Sequence, residues 1–253
     1  AFVLLGAVAL GTLAAALLHG PALAGLGVVG AFVTPLLVAS DKPDYWALYI
    51  YISIVTAAAF GLARIRLWRW LAVTTIAFGA FWMLVGIAEA NTLGPHAFDM
   101  IASFALAAVL VVAGFMFGPS AEQGQVEPVS SISLAVFLFG ATALVLGHNH
   151  ADAAMIVFAL LVAATFAIAW RAESAAGAIV AAALFVFAVF AEWAIRANPE
   201  LTVMPGGAMP GIGTRADEGS ISMHLIAAAG FGAAFGAAGF LAQGRSFSAI
   251  IPV

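Results

Sequence analysis

Long, uninterrupted apolar runs constrain this chain more than any other feature. Cut at its polar and Pro/Gly punctuation, the sequence falls into nine of them, about 1–18, 22–40, 45–63, 68–90, 97–117, 130–147, 152–170, 175–196 and 220–242. At about 1.5 Å per helical residue, such runs match a hydrocarbon core of about 30 Å. Each is apolar on all faces, whereas the strand of a membrane barrel would alternate over about ten residues, so the runs predict helices. With 65% hydrophobic and 8% charged residues, against a usual charged share of about 25%, the chain lacks the polar groups to build a surface facing water. The expected fold is an all-α polytopic transmembrane helix bundle of about nine spans, with the lipid bilayer as its solvent.

Zero cysteines exclude disulfides and thiolate metal sites. A net charge of −4 and the absence of any Lys/Arg tract leave no basic surface for nucleic acid. The opening "AFVLLGAVAL" has neither an initiator Met nor a basic n-region, and reads as part of a longer chain rather than as a signal peptide.

Spacing divides the chain into a first transmembrane unit, 1–118, a cytoplasmic linker "PSAEQGQVEPV", 119–129, and a second unit, 130–253, with an outer loop at 197–219. Spans starting near 22, 45, 68 and 97 are echoed near 130, 152, 175 and 220, an offset of about 108 residues until the long loop intervenes. Four spans per unit would make these parallel repeats plus one extra helix. "DKPD" at 41–44, "GPH" at 94–96 and "NPE" at 198–200 read as interfacial turns.

Orientation follows from where the basic residues fall. Arg64, Arg66, Arg69, Arg171 and Arg245 share one side with Glu122, Glu127 and Glu173; Lys42, Arg196 and Arg215 share the other with the remaining nine carboxylates. The "RIRLWRW" turn, three arginines with Trp68 and Trp70, is the firmest cytoplasmic anchor. The N-terminus of this chain is then outside and its C-terminus cytoplasmic.

Residues 19–72 carry "GPALAGLG", then "TPLLVAS", an acidic proline-containing turn, a "WAL" opening the next helix, and the arginine/tryptophan turn. In these features the chain resembles a family of large, multi-spanning bacterial membrane proteins of unknown function. The resemblance implies a polytopic inner-membrane protein and brings no reaction, cofactor or catalytic residue with it.

The acidic side gathers four of the five histidines, His96, His148, His150 and His224, with Glu89, Asp99, Asp152, Glu192 and Asp217. Histidine with carboxylate suits a divalent metal ion or a proton relay. The stretch "GHNHAD" at 147–152 reads first as a solvated interfacial turn, with His148 and His150 on opposite faces if helical and Asp152 capping the next span. Glu192 and Arg196 are spaced for a helical ion pair. Gly27 with Ala31, and Gly30 with Thr34, form small-residue steps in the span that also holds Pro35; Ala228, Gly232 and Gly236 form a stronger ladder near the C-terminus. Such faces let helices approach closely, within the bundle, in a homo-oligomer or against other membrane subunits. Pro35 could instead break its helix and free carbonyls to line a site. The loop 197–219, with Met204 and Met209, reads either as a lid over the acidic side or as disordered chain.

Two function classes fit. A transporter-like or lipid-handling module would use the histidine–carboxylate side as a polar mouth. A membrane-embedded enzyme on a lipid-linked substrate would need Glu192, Asp99 and at least two of the histidines within hydrogen-bonding reach. No nucleophile motif, phosphate loop or HExxH signature is present, which also keeps a structural or assembly subunit in view.

Overall fold

The computed structural model describes residues 2–37, 44–89, 92–112, 126–197, 203–204, 207–208 and 220–241. Among them are nine α-helices: α1 (Phe2–His19), α2 (Pro21–Leu37), α3 (Tyr45–Arg66), α4 (Arg69–Glu89), α5 (Leu93–Leu106), α6 (Pro128–Gly147), α7 (Asp152–Arg171), α8 (Gly177–Ala197) and α9 (Ile221–Leu241). Helix α5 runs on into a π-helical stretch, Ala107–Val112, and a 3-10 turn, Glu173–Ala175, leads into α8. Seven of the helices, α3 to α9, are long and apolar enough to cross a bilayer; the described parts of α1 and α2 are shorter. Within the predicted outer loop, β1 (Val203–Met204) pairs antiparallel with β2 (Gly207–Ala208).

Helix α6 is central, packed on α4, α5, α7 and α8, while α3 joins α1, α4 and α5 on one flank and α9 leans on α7 and α8 at the other. The core at α6 is tight: a Cβ added at Gly140 would collide with the Met83 sulfur and lie 2.6 Å from that of Met100. Large apolar side chains such as Leu4, Leu26, Phe187 and Leu225 stand exposed around the outside, the surface that lipid covers.

Helix ends follow local chemistry. Asp44 caps α3, accepting from the Ala47 N–H at 3.1 Å, and Glu127 caps α6, accepting from the Ser130 N–H at 2.6 Å. Glu127 also pairs with Arg69 at 3.3 Å, and the Arg66 guanidinium donates to the Leu17 carbonyl, so the arginine end is tied from α1 across to α6.

Three local expectations are corrected. "GPH" is the first turn of α5 rather than a turn before it; Pro95 is tolerated there because N–H groups in a helix's first turn have no intrahelical partner. Asp152 is the first residue of α7, not its cap, and its carboxylate accepts instead from Ser220 at the start of α9. Pro35 does not break α2 before Leu37. It has no N–H to give the Ala31 carbonyl four residues back, and the Tyr51 hydroxyl of α3 donates to that oxygen at 2.8 Å; Trp82 Nε1 of α4 donates to the neighbouring Phe32 carbonyl, also at 2.8 Å. Gly27 and Ala31 are buried, with Gly27 facing Thr12 and Leu13 of α1, whereas Gly30 opens outward and Thr34 bonds back to its carbonyl. In α9, Ala228 and Gly232 are exposed and Gly236 half-buried, so its ladder faces away from the bundle.

Candidate functional site

Chain direction alternates, so the N-termini of α3, α5, α7 and α9 share one end of the bundle with the C-termini of α4, α6 and α8. Of the histidines and carboxylates singled out above, His96, His148, His150, His224, Asp99, Asp152 and Glu192 gather at this end, divided into two groups by the "GHNHAD" turn.

That turn is a tightly closed helix end. The His150 N–H bonds the Val145 carbonyl at 2.9 Å and the Asn149 N–H the Leu146 carbonyl at 3.4 Å, the paired 6→1 and 5→2 pattern that stops a helix. It requires left-handed backbone, supplied at Asn149 (φ 49°) and His150 (φ 58°), and asparagine and histidine tolerate that region better than most residues. The reversal sends His148 toward α5, and His150 toward α8 and α9. The expected solvated turn is therefore half true: Gly147 is exposed, but His150 is fully buried.

His150 is the middle of a hydrogen-bonded string. Its Nε2 lies 2.5 Å from Glu192 Oε2, and its Nδ1 lies 3.1 Å from His224 Nε2, while His224 Nδ1 is 2.9 Å from the Ser220 carbonyl oxygen. Arg196 donates through Nε to Glu192 Oε1 at 3.1 Å and again through Nη2, and also reaches Asn149 Oδ1 at 3.4 Å. Trp193 stacks on the His224 ring, centroids 4.6 Å apart and 13° from parallel. Asp152 holds the Ser220 N–H at 2.9 Å, and the Ser220 hydroxyl in turn caps α9 through Met223 N–H at 3.2 Å.

A carbonyl only accepts, so His224 Nδ1 carries a proton toward Ser220. The link between the two imidazoles needs a second proton, and the link from His150 to Glu192 a third. Two neutral imidazoles and a carboxylate supply only two. All three links hold at once only when one further proton is aboard. Burial pushes the His150 imidazole below the ordinary histidine range, and the Glu192 carboxylate pulls it back up.

The second group lies between α3, α5 and α6. His96 is fully buried, as is Asp99 at 2% exposed, one turn further along α5. The His96 ring sits 6.1 Å from that of His148 and 5.3 Å from that of Tyr49. Asp99 accepts from Ser103 at 3.5 Å. The sequence expectation of one shared cluster thus resolves into two: Glu192, Arg196, His150 and His224 in one, His96, Asp99 and His148 in the other, with Asp152 bracing α9. Asp99 and Glu192 do not converge as the enzyme reading requires. Among the described residues, no three His, Asp or Glu side chains are placed to hold a metal ion. Glu89 ends α4 with its side chain outside the described residues, as are the side chain of Met204 and all of Lys42, Met209, Arg215, Asp217, Arg245 and Glu122.

Asn149, Trp193, Ser220 and Tyr49 were missed in the sequence. Tyr49 had a signal: Tyr45, Tyr49, Ser53 and Thr56 recur on one face of an otherwise apolar helix, as His96, Asp99 and Ser103 do on another.

A family model described as "Predicted membrane protein (DUF2339)" matches residues 1–216, so the likeness read from residues 19–72 extends over most of the chain. Neither a curated protein nor a solved structure matches it.

Proposed function

The chain belongs to the DUF2339 family of predicted membrane proteins, and from that premise we propose that it is a proton-responsive, transport-type module of a bacterial inner membrane, with its histidine–carboxylate end outward. One observation carries the reading: His150, fully buried, has both ring nitrogens engaged, one by Glu192 of α8 and the other by His224 of α9. Taking up or losing a proton there changes which links join the α6–α7 turn, α8 and α9. Histidine is the side chain whose charge changes near physiological pH, so the string is suited to sensing the medium on its side of the membrane. The arginine-rich turn at 64–70, at the opposite end, supports the outward placement. An enzyme using His150 as general base gains no support, since no ring nitrogen is left for a substrate. The exposed Ala228 and Gly232 of α9 are where a helix of another subunit or copy would approach.

The test is a pH titration of tryptophan fluorescence in lipid nanodiscs, because Trp193 stacks on His224. A one-proton transition, lost in Trp193→Phe and shifted or lost in His150→Gln, is expected. A flat titration, or one unchanged by His150→Gln, would overturn the reading.

A further inference from the structure

The stripes of α3 and α5 face one another inside the bundle, and their polar atoms are conspicuously short of partners. Tyr49 and His96 are both fully buried, and neither the Tyr49 hydroxyl nor His96 Nε2 has a hydrogen-bond partner; the same is true of His148 Nε2, Ser53 Oγ and Thr56 Oγ1. Such atoms are rare in native interiors and call for an occupant. Two of them meet against α4: a Cβ added at Gly86 would collide with the Tyr49 hydroxyl and lie 3.1 Å from His96 Nε2. From Tyr49 to Thr56 the stripe covers about 10 Å along α3, at about 1.5 Å per residue, well into the apolar thickness.

The chemistry of the group is lopsided. His96 Nδ1 is 2.5 Å from the Thr92 carbonyl oxygen, and His148 Nδ1 is 3.1 Å from that of Leu144. Both carbonyls can only accept, so each Nδ1 carries the proton and each Nε2 presents a lone pair. One turn from His96 along α5, Asp99 adds a buried carboxyl that interacts electrostatically with Tyr49. No lysine or arginine among the described residues is paired with it. Acceptors and potential negative charge thus lie on atoms buried inside the bundle, and the rings of Tyr45 and Tyr49 lie 5.7 and 5.3 Å from that of His96.

We infer that this group is a binding site for a small cation bearing N–H donors, of the ammonium class, held by Asp99, His96 Nε2 and His148 Nε2 beside the tyrosine rings. Such a cation gives N–H to imidazole lone pairs, charge to the carboxyl and a cation–π contact to the aromatic faces. A hard metal cation would ask for a fuller set of oxygen ligands. The ammonium group could come from the free ion or from an ethanolamine lipid headgroup. The inference is independent of the proton string at Glu192.

The experiment uses the whole chain in phosphatidylcholine nanodiscs, with its unfolding midpoint measured against ammonium chloride and, at equal ionic strength, tetramethylammonium chloride, which has no N–H. Expected are a saturable rise with ammonium alone, its loss in Asp99→Asn, an apparent affinity weakened at least tenfold in His148→Gln, and a normal response in Glu192→Gln. The His148 variant keeps the test open should Asp99→Asn fail to fold. Nanodiscs of phosphatidylethanolamine distinguish the sources: a raised midpoint there with no further response to ammonium assigns the site to the headgroup, and an undiminished response assigns it to the free ion. Equal midpoints in the two salts, meaning that only water fills the site, or a full response in His148→Gln, would overturn the inference.

Discussion

Replacing Glu192 with glutamine keeps the shape of the side chain and removes the charge that His150 and Arg196 share. The two partners lose unequally. The Glu192 side chain is 36% exposed, so water replaces part of what Arg196 gives up, but His150 is fully buried and cannot be rehydrated without opening its turn. Hydrogen bonds to charged groups contribute about 1.5–3 kcal/mol, and the His150 side accounts for most of the expected loss. At about 2–4 °C per kcal/mol for a chain of this size, the unfolding midpoint should fall by about 3–12 °C. Thermal unfolding in nanodiscs, followed by tryptophan fluorescence, measures it. The same link is removed by His150→Gln, so the double variant should cost little more than the worse single one. A midpoint within about 1 °C of the parent for Glu192→Gln, or strictly additive losses in the double variant, would refute the idea that these two side chains form one unit.

Acidification should destabilise the protein through His150. Its folded pKa is lowered, so between the ordinary histidine value of about 6.5 and that lower value the unfolded chain binds a proton the folded one refuses, and stability present at higher pH is lost as pH falls. With Glu192 and Arg196 of α8 and His224 of α9 left in place, His150→Gln should flatten the midpoint-against-pH curve below about pH 6.5; an unchanged slope counts against it. Gly86→Ala drives a methyl into the Tyr49 hydroxyl and should cost about 1–3 kcal/mol, partly recovered by Tyr49→Phe, and no recovery would mean the clash lies elsewhere. Since the chain has no native cysteine, single cysteines at Leu67 and Ala151 can be labelled with impermeant maleimide in cells; they should react from opposite sides of the membrane, and labelling from one side removes the threading described.

Span boundaries were legible because lipid demands long apolar runs and polar residues punctuate them: 152–170 was expected where α7 occupies Asp152–Arg171, and 130–147 where α6 occupies Pro128–Gly147. The gathering of His148, His150, His224 and Glu192 at one end followed from chain alternation alone. What each histidine touches did not. His148 and His150 are two residues apart, and only the left-handed backbone at 149 and 150 decides that one meets α5 and the other α9. That His96 and Asp99 are buried between helices was not legible, because a helix can bury a polar stripe against a matching one, a pairing visible in tertiary contact rather than in hydropathy. The α9 ladder reads as a face for a close helix approach within the bundle, in a homo-oligomer or against another subunit; that it faces away from this bundle was not legible, because small residues permit an approach without specifying which neighbour makes it.

Tyr51 and Trp82, bound to adjacent carbonyls of α2, have a lateral consequence. Helices α1 and α2 are short in their described extent, and with little but apolar side chains to hold them they could slide along the bundle like oil against oil. Drawing α2 away would strip the Ala31 oxygen of its donor in a medium that has none to offer, and would leave the indole N–H bare as well. The proline that weakens α2 along its axis is thus what rivets it sideways to its neighbours.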